Sequence, residues 1–386
     1  MSNSRDNHCE LFNPSKSRDA VRLAALKRRA DVQLVDELYS QLEELYKIRN
    51  PSVIREGVSA VLLEKFIKSI YRGKSKDMFG VWAWYPWGKR LIHFLPEALH
   101  TELRTARNRN LITLSEQRRY YRARVGVAGL SVGNAVVSNI VHTGGAKYLR
   151  IADADVLSGS NMNRIRAGFD LLGVSKTTVA AREVLLVNPF TDLTVFDSGL
   201  TEKNIKEFLL EPEPLDIVVD EMDDLYLKIR LRTLARKHGI PVVMAADNGD
   251  GVVVDIERFD LDHKRPLMHG DIPEAELLAI RPDTPRPVAA RIISRWVRPE
   301  NIATRMMTSL LELGKTLYTW PQLGNAASMA GSVVSYVVRL IVLGKPVVQG
   351  KVVISPEAIF SPVAVIASEY SRHSAVREEF IRKLGL

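Results

Sequence analysis

The sequence predicts an α/β protein whose main domain is a Rossmann-like, doubly wound and mostly parallel β-sheet. From Arg124 onward, short apolar runs typical of strands alternate with stretches that have helical periodicity. The first of these runs leads into a glycine turn and then a helix, "VGVAGLSVGN" (125–134). With 386 residues and 46% hydrophobic content, the chain is long enough to form a large core and a second, smaller domain.

The alternating pattern can be followed from residue 124 to about residue 246. The predicted strands are 124–128, 147–153, 191–197, 215–220 and 240–246, and the helices between them are 133–143, 175–187, 202–209 and 225–238. Further strands at 252–259 and 347–353 flank helical segments at 288–313 and 324–343. Because the strands are separated by helices, we expect parallel crossover connections.

The N-terminal part has a different composition. Residues 1–20 are polar and predict a flexible N-terminus, and helices follow at 21–49 and 53–72. Two β-segments at 81–85 and 90–95 predict a hairpin, so that residues 21–102 form a smaller α+β domain of a winged-helix type. The main domain then covers 103–386. The tryptophans of the hairpin fit either a stacking platform or ordinary packing on the helices, and packing is the simpler interpretation.

Charge and cysteine content limit the function. The chain has 54 Lys and Arg against 45 Asp and Glu, a net charge of +9, which suits an anionic partner. Cys9 is the one cysteine, which excludes an internal disulfide and a cysteine-rich zinc site and predicts a reducing, cytoplasmic location. The N-terminus has no apolar signal region, and the longest apolar run, 332–343, is interrupted by polar residues. We therefore expect no membrane span.

The glycine turn predicts a phosphate site. Gly129 and Gly133 place backbone N–H groups and the positive end of a helix near an anion, although Ser131 stands where a dinucleotide fingerprint has its second glycine. Asp153, at the end of the second strand, either accepts hydrogen bonds from a ribose or caps a turn.

The connection after the second strand favours a triphosphate. Cationic and amide side chains between 153 and 176 suit polyphosphate better than a hydride-transfer cofactor. These residues are Asp153, Asp155, Asn161, Asn163, Arg164, Arg166 and Lys176. ATP is the predicted nucleotide, and a dehydrogenase is the weaker alternative.

The motifs "DADVLSGSNMNR", "GVSK" and "DIVVDEMDD" follow the glycine turn in that order, and with them the sequence resembles the ThiF/MoeB/E1-like adenylating superfamily. The resemblance implies ATP and Mg²⁺ and an acyl-adenylate product. It implies that Asp153 binds the ribose and that Arg164 and Lys176 bind the phosphates. It also implies that Asp223 binds Mg²⁺, although Asp220 or Asp224 could be the ligand instead. It also puts Gly129, Ser131, Gly133, Asp155 and Asn161 at the nucleotide, Asn161 as the residue that shapes the phosphate loop.

The same resemblance suggests a homodimer in which Arg109, in "RNRNLITLSEQ", reaches the partner's ATP site. Two departures narrow the reaction. The paired cysteines that bind zinc in many relatives are absent, and no cysteine lies in 247–290, where a thioester nucleophile would stand. Neither zinc nor transfer to a protein thiol is therefore expected.

An N-terminal extension without zinc or a thiol resembles the branch of the superfamily that modifies ribosomally made peptides. The resemblance implies that the extension binds an acidic precursor peptide, with the hairpin as the point of attachment, and that a Glu, Asp or C-terminal carboxylate is adenylated and then cyclised. Adenylation of a sulfur-carrier protein and a nucleotide-sensing DNA-binding regulator remain alternatives. Polar residues in 247–271 stay unassigned: Asp247, Asn248, Asp250, His263, Lys264, His269 and Asp271.

Overall fold

The computed structural model describes residues 8–386, with the side chains of residues 286, 363, 364, 366 and 367 left aside. The chain divides into two compact units. The first contains the residues up to Arg118 together with Ala181–Thr191, and the second contains Arg119–Ala180 and Asp192–Leu386. The predicted domain boundary after residue 102 stays a prediction, because a division by packing does not test independent folding.

The first unit is built on a four-stranded sheet in the order β1-β3-β4-β2. β2 is parallel to β4, and the other two pairings are antiparallel. Its elements are β1 (Glu10–Phe12), α1 (Ser17–Lys27), β2 (Gln33–Val35), α2 (Leu38–Arg49), α3 (Val53–Glu56), α4 (Ala60–Tyr71), β3 (Val81–Tyr85), β4 (Arg90–Phe94) and α5 (Glu97–Arg104).

Two expectations for the N-terminal part are wrong. The sequence predicts a flexible N-terminus, but residues 8–20 contain regular structure. There, β1 pairs with β3 and Phe12 is buried. The predicted helix 21–49 is two helices, because Gln33–Val35 leaves the helical path to pair with Arg90–Ile92. An ion pair between Arg29 and Asp31 at 2.9 Å lies in the intervening turn. Non-local strand pairing therefore overrides the local periodicity.

The predicted hairpin is confirmed, and its two strand tryptophans are packed in the core instead of being exposed to solvent. Trp82 and Trp84 are buried with Phe12, Leu23 and Leu91. Both hairpin strands lie inside the sheet, with β1 and β2 at its edges. A peptide therefore cannot add to the hairpin as a further strand, and the predicted attachment there is wrong. The free edges belong to β1 and β2.

The second unit is built on a seven-stranded sheet in the order β11-β10-β9-β8-β5-β6-β7. From α6 onward the elements are α6 (Leu114–Tyr121), β5 (Arg124–Ala128), α7 (Gly133–His142), β6 (Tyr148–Ala152), α8 (Lys176–Val187), β7 (Asp192–Phe196), α9 (Ile205–Leu210), β8 (Ile217–Asp220), α10 (Leu225–Lys237), β9 (Val242–Asn248), β10 (Gly251–Glu257), α11 (Glu274–Leu278), α12 (Arg286–Val297), α13 (Thr304–Leu310), α14 (Gly324–Val342), β11 (Gly350–Ile354), α15 (Pro356–Phe360) and α16 (Val363–Leu384).

The predicted Rossmann-like fold is confirmed. β5 to β9 are parallel, and β10 and β11 are antiparallel additions at one edge. The chain runs outward from β5 through β6 to β7 and then returns to β8 on the other side of β5. Ligands bind at such a reversal of strand order, beyond the carboxyl ends of the strands. The ends of β5, β6, β8 and β9 are therefore where a site is expected.

The helix α14 passes close to α7. A Cβ added at Gly331 would lie 2.7 Å from backbone atoms of Ala135, so glycine is required for this approach. Ala326, Ala327 and Ala330 are buried on the same helix, whereas Ser332 is exposed. Within residues 8–386, α14 is the one helix long and apolar enough to cross a bilayer, and more than half of it is buried inside the protein. Its apolar composition is thus accounted for by packing.

Candidate nucleotide site

The glycine turn after β5 brings the chain close to the end of β8. Gly129 has a φ of 88°, and a Cβ there would lie 2.3 Å from the carbonyl oxygen of Glu221. Gly133 begins α7, where a Cβ would lie 2.9 Å from Val127. Within the described chain, no side chain caps the first turn of α7. Its N–H groups and helix dipole are therefore available to an anion.

Asp153 is fixed between this turn and the connection that follows β6. One carboxylate oxygen accepts a hydrogen bond from the Leu130 N–H at 2.6 Å, and the other accepts one from the Asp155 N–H at 2.8 Å. Burial raises the pKa of Asp153, and the two backbone N–H groups oppose that rise. The carboxylate is thus held in one orientation, as a ribose ligand requires.

Lys176 begins α8 beside the same acidic pair. Its ammonium lies 2.7 Å from the Asp155 carboxylate and 3.8 Å from that of Asp153. The Lys176 side chain is 8% exposed, whereas that of Asp155 is 71% exposed. A buried cation is therefore held by one buried and one exposed carboxylate, and an anion can reach it by displacing Asp155.

The loop after β6 carries Arg164 to the glycine turn. Asn161 is buried and shapes this loop, because its side-chain oxygen accepts from the N–H and the hydroxyl of Ser158, both at 3.0 Å. The Arg164 guanidinium donates to the Ser131 hydroxyl at 2.9 Å and to the Ser160 carbonyl at 3.0 Å. Ser131, which departs from the glycine fingerprint, therefore anchors a cation.

Three aspartates near the end of β8 have different surroundings. Asp220 is fully buried and paired with Lys228 and Arg232; burial opposes ionisation, but the two cations hold its pKa below the usual value. Asp224 caps α10 by accepting from the Leu227 N–H at 2.9 Å. Asp223 is exposed, and its charge acts on Arg164. Of the three, Asp223 has the side chain available to a metal ion.

Residues 105–291 match the ThiF family. The chain contains a ThiF-family domain. The match includes the glycine turn and every residue described above, so the predicted resemblance of this segment to the ThiF family is confirmed.

Two curated relatives cover parts of the chain. An uncharacterised protein of Mycobacterium tuberculosis is 35% identical over 268 residues, which are 69% of this chain and 36% of that protein. The tRNA threonylcarbamoyladenosine dehydratase of Escherichia coli is 30% identical over 127 residues, which are 32% of this chain and 45% of the dehydratase. The chain thus spans about a third of the first relative and less than half of the second.

Solved structures show weaker similarity. The structure of PaaA is 15% identical with a TM-score of 0.47, and the match covers 89% of this chain and 90% of PaaA. The E. coli dehydratase TcdA in complex with ATP is 20% identical with a TM-score of 0.43, covering 64% of this chain and 95% of TcdA.

The ThiF-family domain has further polar groups that the motifs did not identify. Asp247 ends β9 beside β8 and is 8% exposed, and burial raises its pKa to about 6 despite the charge of Arg164. Glu221 accepts from the Ala245 N–H at 2.9 Å, and burial raises its pKa well above the usual value. Their positions at the carboxyl ends of adjacent parallel strands were the available signal.

The residues of the ThiF-family domain fit Mg²⁺-ATP. The open turn of α7 and the cations Arg164 and Lys176 provide groups for phosphate, and Asp153 provides a fixed acceptor for ribose. Among residues 8–386, no group of three or more His, Cys, Asp or Glu side chains converges on one point. A metal held by one carboxylate and by phosphate oxygens, as Mg²⁺ often is, matches that arrangement.

Two other residues named from the sequence lie in the first unit. Arg109 is exposed, 3.7 Å from Glu102, and donates to the Ile48 carbonyl at 3.4 Å. Cys9 is half-buried, with its thiol 3.8 Å from the Pro189 carbonyl, and burial raises its pKa to about 12. A thiol with that pKa stays protonated at neutral pH and is a poor nucleophile.

Proposed function

We propose that this protein is a Mg²⁺- and ATP-dependent enzyme that adenylates a carboxylate of a ribosomally made peptide. The observation that carries the proposal is that contacts link both cations to the glycine turn before α7. Arg164 bonds Ser131 in that turn, and Lys176 lies 3.8 Å from Asp153, which accepts from the N–H of Leu130 in the same turn. A dinucleotide site needs one glycine turn, whereas this site adds two cations where polyphosphate charge would lie. The family membership of residues 105–291 supports the same reaction class.

In the proposed reaction, an oxygen of the substrate carboxylate attacks the α-phosphorus of ATP. An O–P bond forms, the bond to the bridging oxygen breaks, and pyrophosphate leaves with the electron pair. Arg164, held by Ser131, and Lys176 stabilise the charge that develops on the phosphates. Asp223, whose side chain is exposed, would hold Mg²⁺, and the bound ion would supply neutralisation of phosphate charge. Catalysis then depends on positioning and electrostatics.

The first unit offers a surface for an acidic peptide. A groove of about 840 Å³ lies between α2, α3 and residues 103–109. Its lining is more basic than acidic, with Lys47, Arg104 and Arg107 against Glu44, and Ile54 exposes 89% of its surface there. An acidic segment with one apolar side chain is complementary to such a groove. We propose this groove, in place of the hairpin, as the peptide site.

The experiment is pyrophosphate exchange into ATP, measured with synthetic peptides that contain adjacent glutamates. The wild type should exchange label only with peptide and Mg²⁺ present. Lys176→Ala and Asp223→Ala should each lower exchange by about 10²-fold or more. Lys237→Ala, at the end of α10, is the control and should exchange normally. Exchange without peptide, or normal exchange in both site variants, would contradict the proposal.

A second candidate substrate is a carboxylate carried by tRNA. The 30% identity to the E. coli tRNA threonylcarbamoyladenosine dehydratase and the net charge of +9 favour it. Replacing the peptide by tRNA in the exchange assay separates the two candidates. Both ligands should bind more weakly as salt rises, and the loss should be steeper for the nucleic acid, which releases condensed counterions.

We also propose that the enzyme is a cytoplasmic homodimer in which Arg109 acts on the partner's ATP. The resemblance in "RNRNLITLSEQ" and the exposure of Arg109 support this assembly. Mixing Arg109→Ala with Lys176→Ala subunits tests it. If Arg109 acts across the dimer, part of the lost activity should return in the mixture, and no return would contradict the assignment.

A further inference from the structure

Asp247 is a buried carboxylate with unused oxygens. It is 8% exposed, and neither oxygen accepts a hydrogen bond of normal geometry from a described residue. An ionised carboxylate buried in this state is costly, so its presence calls for an explanation. Its neighbour Asn248 has a structural explanation, because it donates to the Asn301 carbonyl and accepts from the Ala303 N–H. For Asp247, the Gln322 side chain acts on the carboxylate but not at normal hydrogen-bond geometry.

The surroundings of Asp247 connect it to the nucleotide site. The amide of Gln322 and the charge of Arg164 both favour its ionised form. The Gln322 carbonyl accepts from the Asn163 amide at 2.7 Å, and Asn163 precedes Arg164 in the phosphate loop. The first turn of α14 also contacts the β9–β10 turn, where Asn325 donates to Asp250 at 2.7 Å. The segment before α14 therefore joins Asp247 to the loop that holds Arg164.

We propose that Asp247 binds an amino group of the substrate peptide and accepts its proton when that amine attacks the acyl-adenylate. The proposal rests on the adenylation proposed above. A neutral amine has N–H groups to donate and a lone pair with which to attack, so it supplies the donors that the two Asp247 oxygens lack. Asp247 interacts electrostatically with Arg164. Because Arg164 would stabilise the adenylate, Asp247 would lie close to the acyl group that the amine attacks.

The step balances without a further reagent. The amine nitrogen forms a bond to the acyl carbon, and the bond from that carbon to the AMP oxygen breaks. AMP leaves with the electron pair of that bond, and one N–H proton passes to the Asp247 carboxylate. The products are an amide, AMP and a protonated Asp247, which returns its proton to solvent.

The test separates adenylation from capture in the purified full-length enzyme. The probes are a synthetic Glu-Glu peptide with a free amino terminus, ATP and Mg²⁺. In Asp247→Asn we expect pyrophosphate exchange within about 2-fold of wild type and amide formation lowered by about 10²- to 10⁴-fold. Hydroxylamine, which attacks without needing this base, should trap the accumulated adenylate. Asp250→Asn, which keeps an oxygen for Asn325, is the matched control and should behave as wild type.

The pH profile adds a readout that a structural role would not change. Two charged groups act electrostatically with Asp247, Arg164 from the phosphate loop and Glu221 from the end of β8, and the segment before α14 adds the neutral Gln322. Because burial raises the Asp247 pKa to about 6, wild-type capture should rise with pH through about 6. Asp247→Asn should lose that rise.

The outcomes are distinct. Parallel loss of exchange and amide formation in Asp247→Asn would overturn the inference, because Asp247 would then serve the nucleotide or the fold. Amide formation at the wild-type rate would overturn it as well. Absence of exchange in the wild type itself would overturn the adenylation proposal, and this inference with it.

Discussion

The guanidinium of Arg164 is anchored by the hydroxyl of Ser131, its Nε donating at 2.9 Å. This contact explains why a serine occupies a turn that is otherwise built around glycine. Ser131→Ala should free Arg164 and raise the KM for ATP by about 10-fold, since a hydrogen bond to a charged group contributes about 1.5 kcal/mol. Ser131→Thr keeps the hydroxyl and is the control. Steady-state kinetics measure the effect, and an unchanged KM in Ser131→Ala would show that the anchor is unimportant.

Gly129 tests the close approach of the glycine turn to β8. Its φ of 88° disfavours any side chain, and a Cβ would lie 2.3 Å from the Glu221 carbonyl oxygen. Gly129→Ala should therefore lower the free energy of unfolding by at least about 2 kcal/mol and weaken ATP binding. Gly159→Ala is the control, because a Cβ there meets no atom within 4 Å. Urea denaturation with and without ATP gives both quantities.

The sequence could predict the site residues that belong to short, local motifs. Asp153 and Lys176 belong to one connection, and strand–helix alternation was enough to put them at the carboxyl edge of the sheet. The approach of Asp247 to Arg164 could not be predicted, because it depends on β9 pairing beside β8. In the same way, the end of the first helix at residue 27 depends on β2 pairing with β4. Long-range pairing was the missing information in both cases.

A buried ionic cluster behind the site could not be predicted either, and it should control stability. The Arg232 guanidinium is fully buried, bonded to Asp220 and 2.5 Å from Glu257. Burial raises the pKa of Glu257, and the charge of Arg232 opposes that rise. Removing one member leaves the others uncompensated, so Arg232→Met should destabilise the protein by about 3–5 kcal/mol.

The control for this substitution lies on the same helix. Arg230 is about half exposed, and Arg230→Met should change the unfolding free energy by no more than about 0.5 kcal/mol. Combining Arg232→Met with Glu257→Gln removes the carboxylate left unpaired, while Asp220 keeps its pairing with Lys228, and should recover part of the loss. Denaturant melts of the four proteins test this. Equal effects of the Arg230 and Arg232 changes would show that the buried pairing contributes little.

Asp247 should make the protein less stable at neutral pH than at acid pH, independently of any substrate. Burial raises its pKa from 3.8 to about 6 in the folded protein, so folding favours the protonated carboxyl group. The stabilisation is therefore complete below about pH 4 and is lost as the pH rises through about 6. A shift of this size corresponds to about 3 kcal/mol.

Asp247→Asn removes this titration and should change the pH dependence in a defined direction. Between pH 4 and pH 7.5, the unfolding free energy of the variant should rise relative to wild type by about 3 kcal/mol. Replacing the carboxylate by an amide beside Arg164 also changes the unfolding free energy by an amount that does not depend on pH. This amount cancels when the difference between variant and wild type is compared at the two pH values. Asp250→Asn, on the exposed turn, should show no such change in urea titrations at the same pH values. A flat difference for Asp247→Asn would mean that the carboxylate is well solvated in the folded protein. A confirmed rise would mean that the enzyme retains a destabilising carboxylate beside its nucleotide site, which is the stability cost expected of a group kept for chemistry.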